Sequence, residues 1–191
     1  HESLRRTLGK HVMQKGSLVA PDRLRFDFSH MKPISESELD KINNIVNEIV
    51  NNKSEVITRL MTPKEGMEHG ALALFGEKYG DEVRVVFMGE EGNKYFSTEL
   101  CGGTHVRNTS EVGKFKVVSQ SAIASGVRRV EALRDKQLEK YLNEKEKNLN
   151  VASQKDQDQI DDLLDQIKKF GGKPNISSSD NKTIIKELSK Q

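Results

Sequence analysis

Leu18-Val19-Ala20-Pro21-Asp22-Arg23-Leu24-Arg25-Phe26-Asp27-Phe28 is the stretch whose reading decides the fold. Leu24, Phe26 and Phe28 recur at every second position, the period of a strand with one covered face. Ala20-Pro21-Asp22 separates them from Leu18-Val19 with turn-forming residues, so the stretch reads as a β-hairpin. Upstream, Leu4 to Val12 predicts a short helix interrupted at Gly9. Downstream, Ser35 and Glu38 make a capping box. Leu39, Ile42, Ile45, Val46, Ile49 and Val50 follow at helical spacing, predicting an amphipathic helix to about Asn52. Val56 to Met61 reads as a strand, and Pro63 opens a helix through Glu68. A strand or turn is expected around Ala71–Phe75. Val83 to Met88 is a strand, resumed at Tyr95–Phe96 after a Gly92-Asn93 turn. Phe115 to Val118 and Val127 to Leu133 complete the set. The sum is an α+β fold, a mostly antiparallel sheet with packed helices.

The 191 residues suffice for one medium domain plus an appendage. With 34% hydrophobic and 31% charged residues, the chain is lean for a single globule, and part of it is expected to be elongated and solvated. No apolar run approaches the roughly 20 residues of a membrane span. No signal-peptide layout opens the sequence, and His1-Glu2-Ser3 without an initiator Met reads as the start of a piece of something longer. The single cysteine, Cys101, precludes an internal disulfide and fits a reducing, cytoplasmic setting. Lys+Arg 31 against Asp+Glu 29 gives no overall argument for nucleic acid. The distribution says more, because no arginine lies beyond Arg134. Arginine's fixed fork of donors suits phosphate and carboxylate. The part before Arg134 thus reads as the working domain, unless arginine simply follows the folded core.

After Arg134 a thin apolar stripe runs through Leu138, Tyr141, Leu142, Leu149 and Ala152 to Ile160, Leu163, Leu164 and Ile167. It predicts a helical arm over 135–191, a coiled coil or a helix awaiting a partner, with a break at 171–176 around Gly171-Gly172-Lys173-Pro174. Ser177 to Asp180 offer caps for a last short helix with Ile184, Ile185 and Leu188.

One constellation carries chemistry: Cys101-Gly102-Gly103-Thr104-His105. A thiol and an imidazole four residues apart can reach one Zn²⁺, and two glycines between them let the backbone bend and approach a substrate. Two ligands alone do not make a site. A small buried cysteine in a glycine turn followed by a surface histidine reads as well. His1 and His11 flank the first helix on roughly opposite faces, and His30 and His69 fall at loop or helix ends. No phosphate-cradling glycine loop, dinucleotide fingerprint or nucleophile-elbow context is present, which argues against a kinase, an ATPase or a hydride-transfer enzyme. Gln14 places an amide at the mouth of the hairpin. Arg23 and Arg25 share a strand face, Arg128 and Arg129 take adjacent faces of the last strand, and Glu131 shares a face with Arg129. These arginines grip phosphates or a substrate, or form a cross-strand ion-pair ladder.

His11-Val12-Met13-Gln14-Lys15-Gly16-Ser17-Leu18-Val19 and Leu24-Arg25-Phe26-Asp27-Phe28-Ser29-His30 resemble the editing domain of bacterial alanyl-tRNA synthetases. So do Ala73-Leu74-Phe75-Gly76-Glu77-Lys78-Tyr79, Ser97-Thr98-Glu99-Leu100-Cys101-Gly102-Gly103-Thr104-His105 and Gly126-Val127-Arg128-Arg129-Val130-Glu131-Ala132. The blocks stand in family order across almost all of 1–134; the remainder is similar only in character to the helical arm that follows editing in the synthetase. The resemblance implies a deacylase of mischarged Ser-tRNA(Ala) and Gly-tRNA(Ala), with the tRNA(Ala) 3′ end as partner. It implies Gln14 as an editing-pocket residue; with it, Cys101, Gly102 and Gly103 are expected as catalytic residues, and Arg23, Arg25, Thr104, Arg128 and Arg129 as tRNA- or substrate-binding ones. It implies Zn²⁺ held by an HxxxH pair together with Cys101 and His105. The first pair is absent and His1 aligns with a histidine one turn after it, so the sequence carries half of the ligand set. A free-standing trans-editing deacylase and a non-catalytic tRNA-binding or dimerisation fragment, self-associating through the tail, are the competing expectations.

Overall fold

The computed structural model describes residues 1–72, 80–92 and 94–191. The 73–79 block, the expected strand or turn beyond Leu72 and Asn93 of the expected turn therefore lie outside the described residues. The chain divides into two compact units, His1–Glu139 and Lys140–Gln191.

The hairpin expected at Leu18–Phe28 is β1 (Gln14–Val19) paired antiparallel with β2 (Leu24–Ser29). Gly16 pairs with Asp27 and Gln14 with Phe28, across a bulge between the two positions. β2 then pairs with a strand far along the chain. β6 (Phe115–Ala124) and β7 (Val127–Arg134) complete a four-stranded antiparallel sheet of order β1-β2-β7-β6. One face carries Phe26, Phe28, Val117, Val130 and Ala132. These pack with Leu4 of α1 (Glu2–Leu8) and Ile42 of α2 (Glu36–Asn51) in the main core.

α1 is shorter than the Leu4–Val12 expectation. At Gly9 the backbone takes φ 120°, which ends the helix and frees Lys10–Val12 to lead into β1. α2 starts at the expected box, with the Ser35 hydroxyl accepting from the Glu38 N–H and the Glu38 carboxylate accepting from the Ser35 N–H at 2.8 Å. It also caps the sheet sideways. Asn43 Oδ1 accepts the Val117 N–H at 2.8 Å, and Asn47 accepts the Phe115 N–H at 2.9 Å and donates to its carbonyl at 2.8 Å. The outer edge of β6 is thus paired with side chains instead of being left open.

A second antiparallel sheet, of order β3-β4-β5, contains β3 (Ile57–Met61), β4 (Val83–Glu91) and β5 (Lys94–Leu100). β4, β5 and β6 all run beyond their expected ends, because ladder pairing continues through polar residues that alternation alone does not flag. Ala71, Val83, Val85, Phe87 and Leu100 form its core. α3 (Pro63–Glu68) starts at Thr62, which boxes with Glu65. Arg6 of α1 grips Glu91 of β4 through two 2.7 Å hydrogen bonds and lies over the Phe96 ring, joining helix to second sheet. This pairing holds the Glu91 carboxyl below the usual carboxylate range. A 3₁₀ turn at Thr109–Val112, which alternation did not foretell, is capped by Asn108.

β7 passes into α4 (Asp135–Lys169) through Asp135, which has a positive φ of 41° and whose carboxylate accepts the Lys114 N–H at 3.0 Å. Leu138, in the first unit, is fully buried. In the second unit Ile160 of α4 and Leu188 of α5 (Asn181–Leu188) are buried, while Leu149 and Val151 are exposed. The expected break follows Lys169. The linker is tied to α5 by Ser177, bonded to Glu187, and by the Asn175 N–H donating to Gln191 Oε1 at 2.9 Å. No described helix is long and apolar enough to cross a membrane.

Candidate functional site

The Cys101–His105 run leaves the end of β5. The Cys101 N–H donates to the Arg84 carbonyl of β4 at 3.1 Å, so the sulfur stands on the last rung of the β4–β5 ladder. The thiol is free and half-buried, which removes the reading of a sealed core cysteine. Beyond it the chain opens. A side chain at Gly102 would meet nothing within 4 Å, and one at Gly103 would meet the Cys101 sulfur at 3.6 Å. Thr104 is exposed. The loop then turns back, and the Arg84 Nη2 lies 3.2 Å from His105 Nδ1.

A guanidinium has only donors, so His105 Nδ1 accepts and any ring proton sits on Nε2. Burial holds the His105 pKa below the usual imidazole value and Arg84 adds to that, against smaller opposing pulls from the Gly103 backbone and Glu99. The ring is therefore mostly neutral near pH 7, with its Nδ1 lone pair engaged by Arg84 and its proton on Nε2. Arg84 escaped the sequence reading. Its one signal was a lone charge inside the apolar run Val83 to Phe87.

Gln14 begins β1 and is half-buried. Its segment and the cysteine segment converge on His1. The His1 Nδ1 lies 3.1 Å from Glu99 Oε2, and Nε2 lies 3.3 Å from the Val12 carbonyl. Glu99 and Val12 each precede their candidate residue, Cys101 and Gln14, by two positions. Glu99 also accepts the Ser97 hydroxyl at 3.0 Å. Glu99 did not stand among the candidates from sequence, and His1 was noted there as aligning with a histidine one turn after the absent pair.

The arginines divide. Arg129 forks onto Asp27 at 2.7 and 2.9 Å, and Arg25 stands 3.7 Å from the same carboxylate. Arg23 stands one residue before β2; it pairs with Asp22 at 2.9 Å and approaches Glu131, the ladder partner of Arg25, at 3.8 Å. For these three the ion-pair ladder is what forms. Arg128, on the core face, pairs with no carboxylate among the described residues and donates to Gln120 Oε1 at 2.9 Å. Hydrogen bonding to Arg129 holds the Asp27 carboxyl below its usual range.

Zn²⁺ takes four ligands in a closed tetrahedral site. The Cys101–His105 run supplies a sulfur and an imidazole, but no group of three or more histidine, cysteine or acidic side chains is gathered for a metal among the described residues. Arg84 already occupies one ring nitrogen of His105. These residues do not by themselves complete the cage.

A cleft of about 510 Å³ lies along the turn between β1 and β2 and the end of β7, lined among others by Pro21, Leu24, Phe115 and Leu133. It contains none of the Cys101–His105 residues and only adjoins them through Val106.

Residues 83–131, from β4 through the Cys101–His105 loop and into β7, match the threonyl and alanyl tRNA synthetase second additional domain. The chain is 55% identical over 158 residues to an alanine–tRNA ligase of Chelativorans sp., covering 80% of the chain and 18% of that protein. It is 56% identical to one of Mesorhizobium japonicum with the same coverage, and 57% identical over 145 residues to one of Parvibaculum lavamentivorans, covering 74% of the chain and 16% of that protein. The chain thus spans less than a fifth of these relatives' length. With 55–57% identity sustained over most of its residues, the chain matches a part of bacterial alanine–tRNA ligases, the part that carries the second additional domain.

Proposed function

We propose that this part of the synthetase hydrolyses the ester of mischarged tRNA, Ser-tRNA(Ala) and Gly-tRNA(Ala), while sparing Ala-tRNA(Ala), in the cytoplasm. The observation that carries the reading is the open Gly102-Gly103 turn between a half-buried free thiol and a neutral imidazole, in the segment that matches the second additional domain. Ester hydrolysis needs a held carbonyl, a positioned water and donors for the developing oxyanion. The backbone N–H groups of the exposed Gly102-Gly103 turn are the donors of choice. His105, restrained by Arg84 at Nδ1, positions the water through its Nε2 proton. Gln14, brought towards the loop through His1, holds the ester or the serine hydroxyl. Size is a poor filter between alanine and serine, so a polar contact must discriminate. Zn²⁺ enters the proposal as a component to be measured, since the chain supplies two of the four donors, and no step is routed through it.

The test is deacylation of Ser-tRNA(Ala) and Ala-tRNA(Ala) side by side, with zinc content determined on the same samples. We expect selective loss of the seryl ester, and a fall of about 10²-fold or more in Cys101→Ala. An unchanged rate in Cys101→Ala would overturn the assignment of that residue. The incomplete cage favours one rival, a tRNA-binding part without catalysis of its own. It predicts saturable tRNA binding with no ester loss.

A further inference from the structure

Arg128 is unlike its neighbours. It is 9% exposed, and its Nε is buried without a hydrogen-bond partner. A buried cation ordinarily has a carboxylate against it, because the uncompensated charge is costly in a poorly solvated setting. Arg129, one residue on and on the other face, meets that rule with Asp27. Arg128 has instead a neutral amide oxygen, which it shares with the Ile34 N–H at 2.9 Å. Gln120 is itself fixed by its bond to the Ile34 carbonyl, so the guanidinium is held with its Nε donor unused among the described residues.

Its charge acts on one imidazole, His30, which is bonded to a second, His11. Arg128 pairs across the ladder with Phe28, and His30, two residues on from Phe28 and stacked with it, carries a backbone bond from its N–H to the Gly126 carbonyl at 2.9 Å. His11 Nε2 lies 2.9 Å from His30 Nδ1, with the rings stacked. The charged or titratable groups that act on His30 are His11, Arg128, Lys32 and Glu38. Glu38 is the lone acid, and its carboxylate is already bound to the Ser35 N–H and hydroxyl. The spot gathers positive charge and N–H donors with no free counter-ion among the described residues.

We propose that Arg128, His30 and His11 form an anion site that takes a phosphate group. A phosphate oxygen accepts from the guanidinium edge and from the imidazoles, replacing the carboxylate that Arg128 lacks. Only the owner of that phosphate, the backbone of an RNA end, rests on the function proposed above; the site does not. Burial, then His11, hold His30 below the usual imidazole pKa, so it is mostly neutral at pH 7. A bound anion favours the protonated ring, so binding strengthens as pH falls through the imidazole range.

The experiment titrates the chain with inorganic phosphate against chloride of equal ionic strength, and separately with a short single-stranded RNA that carries no aminoacyl group. The readouts are the ring resonances of His11 and His30 by NMR and the melting temperature. We expect saturable shifts of both rings, and a melting temperature raised by several degrees at phosphate about 100-fold above its Kd. Arg128→Met weakens phosphate binding by about 10- to 100-fold, Arg128→Lys keeps part of it, and His30→Gln weakens it several-fold without removing the buried cation. RNA binding that phosphate competes away assigns the site to an RNA phosphate. Rings that answer inorganic phosphate alone keep the site and give it to a free phosphate, leaving the deacylation test untouched. Rings indifferent to both ligands, or folded Arg128 and His30 variants that bind phosphate as the parent does, would overturn the proposal.

Discussion

Asp27 sets the balance of charge on the outer face of the first sheet. It is only 6% exposed, forked by Arg129 and flanked by Arg25, and Gly16 lies opposite, where a side chain would come within 3.3 Å of its Oδ2. Its carboxyl is held below the usual range, so its contribution to stability is complete above the ordinary aspartate pKa of about 4 and is lost as pH falls through the depressed one. Asp27→Asn should therefore melt a few degrees lower at pH 7, and the two curves should converge on acidification. Melting temperatures from pH 7 to pH 2 check this; a gap that stays constant would mean that the charge is not what counts. Asp27 was legible only as part of an alternation. What makes it matter is a partner 102 residues away, Arg129, which no local pattern announces. The Cys101–His105 pair was legible because both donors lie in one short run. Arg84 and Glu99 were not, since what they do depends on the register of β4 against β5 and on the docking of His1.

The same logic holds for elements. α2 declared itself through its capping box and its apolar spacing, and its limits in the structure, Glu36–Asn51, follow that pattern closely. Nothing in that pattern says that Asn43 and Asn47, polar residues within the helix, pair with the edge of β6. Removing the Asn43 amide leaves a buried strand donor without its partner, and removing the Asn47 amide a part-buried one. Asn43→Ala is expected to cost about 1–3 kcal/mol, and Asn47→Ala a similar amount. Chemical denaturation would give the loss, and hydrogen exchange should show the Val117 amide speeding up in the first variant and the Phe115 amide in the second. Equal protection in variant and parent would assign the stabilisation of this edge elsewhere. The β1–β2 hairpin was readable because its alternation is local, whereas the pairing of β2 with β7 joins residues about a hundred positions apart.

For the whole molecule, the change of composition after Arg134 marked a change of character, and the structure places the compact units at His1–Glu139 and Lys140–Gln191. The main cores are built from residues up to Ala132, with Leu138 buried just beyond. A chain ending at Glu139 should thus keep its cooperative melt, within a few degrees of the parent, while losing helical signal in circular dichroism. Loss of the cooperative transition would show that the second unit contributes to the first. A helical tail was visible in sequence, whereas the burial of Ile160 and Leu188 is not something that a stripe of apolar residues discloses.

One residue also governs the mouth of the loop. The Arg84 carbonyl clamps the post that bears the sulfur, and its guanidinium steadies the post that bears the imidazole. The gap between thiol and ring is therefore gauged by the reach of a single arginine, and a shorter cation such as lysine would reset that gap without altering either reactive atom.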